Sequence, residues 1–130
     1  MSHAIPIISI WDHLLVPLQG DITDEQMFNL SANVLGRIAG KRSADGLVID
    51  ASGVWLVDSH LCAALAKLAN AARLMGVPTV VCGLNGDVVL TLQAMGLELE
   101  GIATSLGLDE ALGRLGITVQ KRSHHRQEAQ

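Results

Sequence analysis

Aromatic side chains are nearly absent from this chain. It has no tyrosine, and among 130 residues only Trp11, Phe28 and Trp55 carry aromatic rings. With 49% of residues hydrophobic, the core must therefore be built from Leu, Val, Ile and Ala. Basic charge is also scarce. The net charge is −4, and the basic residues are dispersed apart from the Lys121–Arg126 tail. That excludes the positive footprint a nucleic-acid binder needs. No apolar run reaches the ~18 residues that would cross a bilayer. Met1-Ser2-His3-Ala4 offers neither a charged leader nor a cleavable apolar segment. Only two cysteines occur, Cys62 in an apolar helical segment and Cys82 at the end of an apolar strand. They read as buried free thiols. A disulfide is not expected in a cytoplasmic chain, and two cysteines without a nearby histidine pair do not form a zinc site.

Catalytic signatures are missing too. Gly83-Leu84-Asn85-Gly86 is a strand-to-helix turn without the Walker lysine or the three-glycine fingerprint. No Gly-x-Ser-x-Gly elbow exists. Asp58-Ser59-His60 contains the residue types of a hydrolase triad, but consecutive residues point apart, whereas a triad holds its imidazole between hydroxyl and carboxylate. One carboxylate beside one serine is poor material for a metal site or a general base. His124 and His125 sit in a polar tail and read as solvated.

What is present is an alternation of apolar runs and helical periodicity. Residues 5–10 and 13–18 are two short apolar runs around Trp11-Asp12, expected as a β-hairpin with Asp12-His13 at its turn. Thr23-x-x-Gln26 is a capping box, and Asp24 and Glu25 suit a first helical turn. The helix it opens should run to about Ala39, burying Met27, Leu30, Val34 and Ile38 at helical spacing. Gly40 stops it. Gly46–Asp50 predicts a buried strand. A loop ending in Val57-Asp58-Ser59-His60 leads to an apolar helix over Leu61–Met75. The polar residues of that helix, Lys67, Asn70 and Arg73, fall three apart in a narrow stripe. Burial on two sides is therefore expected, against a sheet and against a neighbouring element or subunit. A strand at Thr79–Cys82 follows, then a helix over Asp87–Met95 through Val88, Leu92 and Met95. A strand near Ile102–Thr104 and a last helix over 108–115 complete the pattern, with Ile117–Val119 either pairing or trailing. The expectation is one α/β domain with a mixed sheet, an N-terminal hairpin and about four helices over residues 1–119. Residues 120–130 form a polar tail expected to be disordered.

Two residues stand out where the second long helix begins. Free N–H groups and the helix dipole favour negative charge there, so a phosphate on Ser59 would meet a prepared anion site. Ser59, or Asp58 just before it, is equally suited to be an ordinary N-cap. Trp55, in the loop just before, fits either an exposed interface anchor or a core residue.

An apolar strand ending in Asp50, followed by Val57-Asp58-Ser59 at a helix start, resembles the STAS-domain family, the anti-sigma-factor antagonists. Soluble antagonists usually continue Ser-Gly-Leu or Thr-Gly-Leu. His60-Leu61-Cys62 moves the resemblance toward the stressosome branch. Ile5-Pro6-Ile7, Leu14-Leu15-Val16, Asp45–Asp50, Leu74-Met75-Gly76, Thr91-Leu92 and Met95-Gly96-Leu97 also look like stressosome scaffold subunits. The resemblance spans residues 4–117.

It implies a cytoplasmic, non-enzymatic scaffold and phospho-switch without cofactor or metal. Ser59 would be the phosphorylated residue and Thr91 a second candidate, against a backbone-bonded helix hydroxyl. Asp58, His60 and Trp55 would form the kinase-recognition surface. The implied partners are RsbR-type STAS proteins, further copies of the chain, an RsbT-type switch kinase and a metal-dependent serine phosphatase. The lack of an N-terminal sensory segment fits the scaffold role. The alternatives are a soluble antagonist that binds one anti-sigma kinase, and a small-molecule-binding or catalytic α/β domain.

Overall fold

The computed structural model describes residues 4–40, 44–84, 86, 90, 93–96, 103–105 and 112–113. Its elements are β1 (Ile8–Ile10), β2 (His13–Gly20), α1 (Asp24–Ala39), β3 (Gly46–Val54), α2 (Ser59–Leu74), β4 (Thr79–Cys82) and β5 (Ala103–Ser105). The expected hairpin forms between β1 and β2, but its turn lies one residue earlier than expected. Trp11 (φ 49°) and Asp12 (φ 66°) occupy the left-handed region, the conformation of a tight hairpin turn. His13 already pairs with Ile10, and its Nδ1 donates to the Trp11 carbonyl at 2.8 Å.

The five strands lie in sequence order, β1-β2-β3-β4-β5. β1 is antiparallel to β2, and every later pair is parallel. The sheet is thus mixed and the chain α/β, as expected. Consecutive right-handed crossovers that advance in one direction place their helices on one face. Accordingly, α1 and α2 pack on each other and on Val16, Leu18, Leu47, Ile49 and Val81. The alternate residues Leu15, Val48, Val80 and Cys82 form a second cluster on the opposite face, joined by Leu112. The period-2 alternation of a strand sorts the two sets.

Thr23 opens α1 with the expected reciprocal cap. Its Oγ1 accepts from the Gln26 N–H at 3.1 Å, and the Gln26 side chain accepts from the Thr23 N–H at 2.9 Å. Met27, Leu30, Val34 and Ile38 are its buried residues, as their spacing predicts. The two-sided burial of α2 is met within the chain by the sheet and α1. Lys67 and Arg73 of its polar stripe are exposed, and Asn70 is half-buried.

β3 runs four residues past the expected Asp50. After a register shift between Pro17 and Gln19, Gly53 pairs with Gln19 and Val54 with Gly20. The strand continues because β2 does; Ser52 and Gly53 carry no strand signal of their own. Gly53 is required there, since a Cβ would come within 2.9 Å of the Leu18 carbonyl oxygen. The expected strand near residue 102 forms as β5, one residue later. Leu90, Gln93 and Ala94 are helical, as are Leu112 and Gly113, within the two later helices expected, and Gly86 is helical one residue before the expected start at Asp87. Thr91, Val88, Leu92, Ile117–Val119 and the 120–130 tail lie outside the described residues. Among those described, no helix is long and apolar enough to cross a membrane.

Candidate functional site

The C-terminal edge of the parallel strands carries the site. In open α/β sheets this is the edge where ligands and partners are met. β3 ends at Val54, and the Trp55 N–H donates to the Gly20 carbonyl at 3.1 Å, tying the strand end to β2. Four residues then turn the chain into α2. Trp55 and Leu56 project from this turn, 80% and 68% exposed. Trp55 therefore does not fill the core. Leu56 was not singled out by its sequence context, which offers no cue to exposure.

Asp58, with extended backbone, is the cap of α2. Its Oδ1 accepts from the Leu61 N–H at 2.9 Å, and its carbonyl accepts from the Cys62 N–H at 3.0 Å. This corrects the reading of Ser59 as an N-cap. Ser59 is the first helical residue, so α2 begins two residues before Leu61. The carboxylate one residue earlier satisfies the orphan N–H, which leaves the Ser59 hydroxyl free of capping. Asp58, Ser59 and His60 are all exposed. Among the described residues, no hydrogen bond joins the Ser59 hydroxyl to Asp58 or His60. Among the described residues the serine thus has no general base in place, and its hydroxyl is accessible but not activated as a nucleophile. The fold brings Trp55, Asp58, Ser59 and His60 together on one short segment; Thr91 lies outside the described residues.

A second cluster underlies this edge. Asp50 Oδ1 accepts from the Ser52 N–H at 3.0 Å and from the Ser52 hydroxyl at 2.7 Å. Burial, then the Asp50 charge and a hydrogen bond to it, push the Cys82 thiol up to about 12. Burial, and secondarily the Asp58 charge, raise the Cys62 thiol as well. Both cysteines are buried free thiols, and in their neutral form they are poor nucleophiles. The Asp-x-Ser spacing at a strand end is the signal that could have located this cluster. Gly83 (φ 80°) seats the end of β4 against Ser52, whose backbone a Cβ would strike. Among the described residues no group of acidic, histidine or cysteine side chains could hold a metal ion.

Comparison with known proteins supplies the context. The family model described as STAS domain matches residues 5–111. The RsbT co-antagonist protein RsbRB of Bacillus subtilis is 34% identical over 98 residues, covering 75% of this chain and 35% of that protein. This chain spans 35–42% of the length of the four RsbR-type relatives it matches. Among solved structures, a serine-to-glutamate variant of RsbS from Moorella thermoacetica superposes with a TM-score of 0.77 at 33% identity, covering 86% of this chain and 94% of that one. A chain from the molecular architecture of the stressosome, a signal integration and transduction hub, gives a TM-score of 0.71 at 33% identity, covering 85% and 96%.

Proposed function

Because this chain belongs to the STAS-domain family, we propose that it is a non-enzymatic stressosome scaffold of the RsbS kind, whose hold on an RsbT-type serine kinase is switched by phosphorylation of Ser59. The observation that carries this reading is the exposed Ser59 hydroxyl, uncapped at the first position of α2 and flanked by the projecting Trp55 and Leu56. The likeness to RsbS and to RsbR-type relatives over most of the chain supports it.

The mechanism follows from charge. The kinase transfers a phosphoryl group from ATP to the Ser59 oxygen, and the hydroxyl proton is released. The phosphoserine carries about −1.5 to −2 charges. The helix N-terminus favours it by at most ~1 kcal/mol at this exposed position. Asp58 opposes it, and no acidic residue in the first turn of α2 adds to that opposition. The phosphate also competes with Asp58 for the first N–H groups of α2. No large refolding is demanded. The greater cost falls on a partner seated over Trp55 and Leu56, which would have to bury a dianion beside its apolar contact. That partner is released. Asp58, His60 and Trp55 are its recognition surface. A metal-dependent serine phosphatase restores the holding state. RsbR-type STAS proteins and further copies of the chain complete the assembly, in the cytoplasm.

Mass spectrometry after incubation with an RsbT-type kinase and ATP tests the assignment. Phosphate is expected on Ser59 and on no residue of the Ser59→Ala variant. An Ala variant that is phosphorylated elsewhere overturns it. Ser59→Asp should weaken kinase retention in a pull-down, and unchanged retention counts against ejection. Co-expressed with an RsbR-type protein, the chain should elute in a very large particle. A persistent small species would instead favour the antagonist that titrates one anti-sigma kinase.

A further inference from the structure

β1 ends the sheet on one side, so one of its edges has no neighbour among the described strands. The two-residue turn at Trp11-Asp12 makes Ile10 and His13 the hydrogen-bonded pair that closes the hairpin. Pairs alternate from there. The N–H and C=O of Ile8 and Ile10 face β2, and those of Ser9 point away from it. The same alternation puts Pro6 on the inner side and Ile7 on the outer, so the N–H that Pro6 lacks is not missing from the free edge. Among the described residues, the outer groups of Ile7 and Ser9 have no hydrogen bond. Native edges are commonly guarded by charge or by a bulge. Residues 4–10 carry no charge, and the β1–β2 register has no shift. A groove of about 420 Å³ opens beside this edge, between Ile5 and Ile7 and the flank of α1 formed by Ala32, Asn33, Gly36 and Arg37. Ile5 and Ile7 pack on the core and floor it. Gly36 lies inside α1, where glycine weakens a helix relative to alanine. A Cβ there would meet nothing within 4 Å, so the packing of this chain does not demand the glycine. Arg37 is exposed and, among the described residues, in no ion pair.

We propose that this edge and groove receive an extended segment of a different protein, one that alternates apolar side chains with a carboxylate on the same face. The segment adds a strand beside β1, with main-chain bonds supplying affinity and alternate side chains supplying specificity. Its backbone pairs with the N–H and C=O of Ile7 and Ser9. Its apolar side chains enter the groove over Ile5 and Ile7, approaching the bare backbone at Gly36, and its carboxylate meets Arg37. Charge complementarity separates this occupant from an edge-to-edge copy of the chain. Residues 4–10 of a copy bring no carboxylate and would leave both Arg37 guanidinium groups uncompensated. The inference does not rest on Ser59 phosphorylation, and its test does not involve the kinase.

The probe is the capped peptide Val-Thr-Glu-Thr-Val, whose two valines and glutamate share one face of a strand, with Val-Thr-Lys-Thr-Val as control. Amide NMR spectra of the whole chain, titrated to millimolar peptide, read the binding. The glutamate peptide should shift the Ile7, Ser9 and Gly36 amides saturably and bind about tenfold tighter than the lysine peptide. Arg37→Glu should reverse that preference. Gly36→Leu should weaken binding by about tenfold or more by filling the groove, whereas Gly36→Ala should raise the melting temperature of the free chain. Ser9→Pro removes the outer N–H and should abolish the saturable shifts. All three positions are exposed, and far-UV circular dichroism checks that each variant remains folded. Absence of saturable shifts at millimolar peptide overturns the inference. So does equal binding of the two peptides, or binding that neither Gly36→Leu nor Arg37→Glu changes. Concentration-dependent shifts at Ile7 and Ser9 without peptide would assign the edge to a copy of the chain and likewise overturn it.

Discussion

Asp58 combines two roles that substitution can separate. It caps α2 through one 2.9 Å bond to the Leu61 N–H, and it places a negative charge beside Ser59. Asp58→Ala removes both. Loss of an N-cap acceptor costs about 1 kcal/mol, in a range of ~0.5–2. Leu61 is buried, so water replaces the lost partner poorly, which favours the upper half of that range. For a domain of this size such a loss lowers the melting temperature by about 3–6 °C. Asp58→Asn keeps a capping oxygen of equal rank and removes only the charge, a change of a few tenths, ~0.3 kcal/mol. Thermal and urea unfolding of the three proteins provides the assay, with phosphorylation by the kinase measured in parallel. The Ala variant should melt clearly below wild type and the Asn variant within about 1 °C of it. If the charge guides the kinase, Asn slows phosphate transfer to Ser59 at unchanged stability. The capping argument is refuted if the Ala variant melts with wild type, or if Asn falls as far as Ala.

Gly83→Ala should destabilise by about 2–4 kcal/mol, combining a left-handed backbone with a Cβ driven into Ser52; a urea midpoint close to wild type would contradict that contact. Cys82 sets a pH dependence. Its thiol titrates at 9.0 when unfolded and at about 12 when folded, so the unfolded state loses the proton first. The stability it contributes is full below pH 9 and declines as pH rises toward 12. Urea midpoints across that range should fall more steeply for wild type than for Cys82→Ala, and equal slopes would remove the thiol from the account. Ile49→Ala, at a fully buried position under both helices, should cost about 3–4 kcal/mol by the same measurement. A loss below ~1 kcal/mol would mean that the sheet–helix layer is not the main core.

Much of this molecule is written in short-range spacing. Met27, Leu30, Val34 and Ile38, bracketed by Thr23-x-x-Gln26 and Gly40, specify α1 through interactions within a few residues of one another. The apolar runs at Gly46–Asp50 and Thr79–Cys82, separated by a helix-length segment, dictate parallel strands for the same reason. The placement of Ser59 where a strand-end loop meets a helix was legible too, because it needs only element order. Other features were not. Sequence spacing could not choose between Asp58 and Ser59 as the cap, since both are good caps and the choice turns on the backbone angles of the loop. The reach of β3 to Val54 depends on β2 being present beside it.

Local chemistry thus determined the elements, their order and the serine at the loop–helix junction. Tertiary packing alone decided that Trp55, Leu56 and Phe28 face water, that Asp50, Ser52 and Cys82 meet, and that the flank of α1 leaves a groove beside β1. Exposure and contact are properties of surfaces assembled from distant segments. No window of neighbouring residues contains them until the sheet has closed.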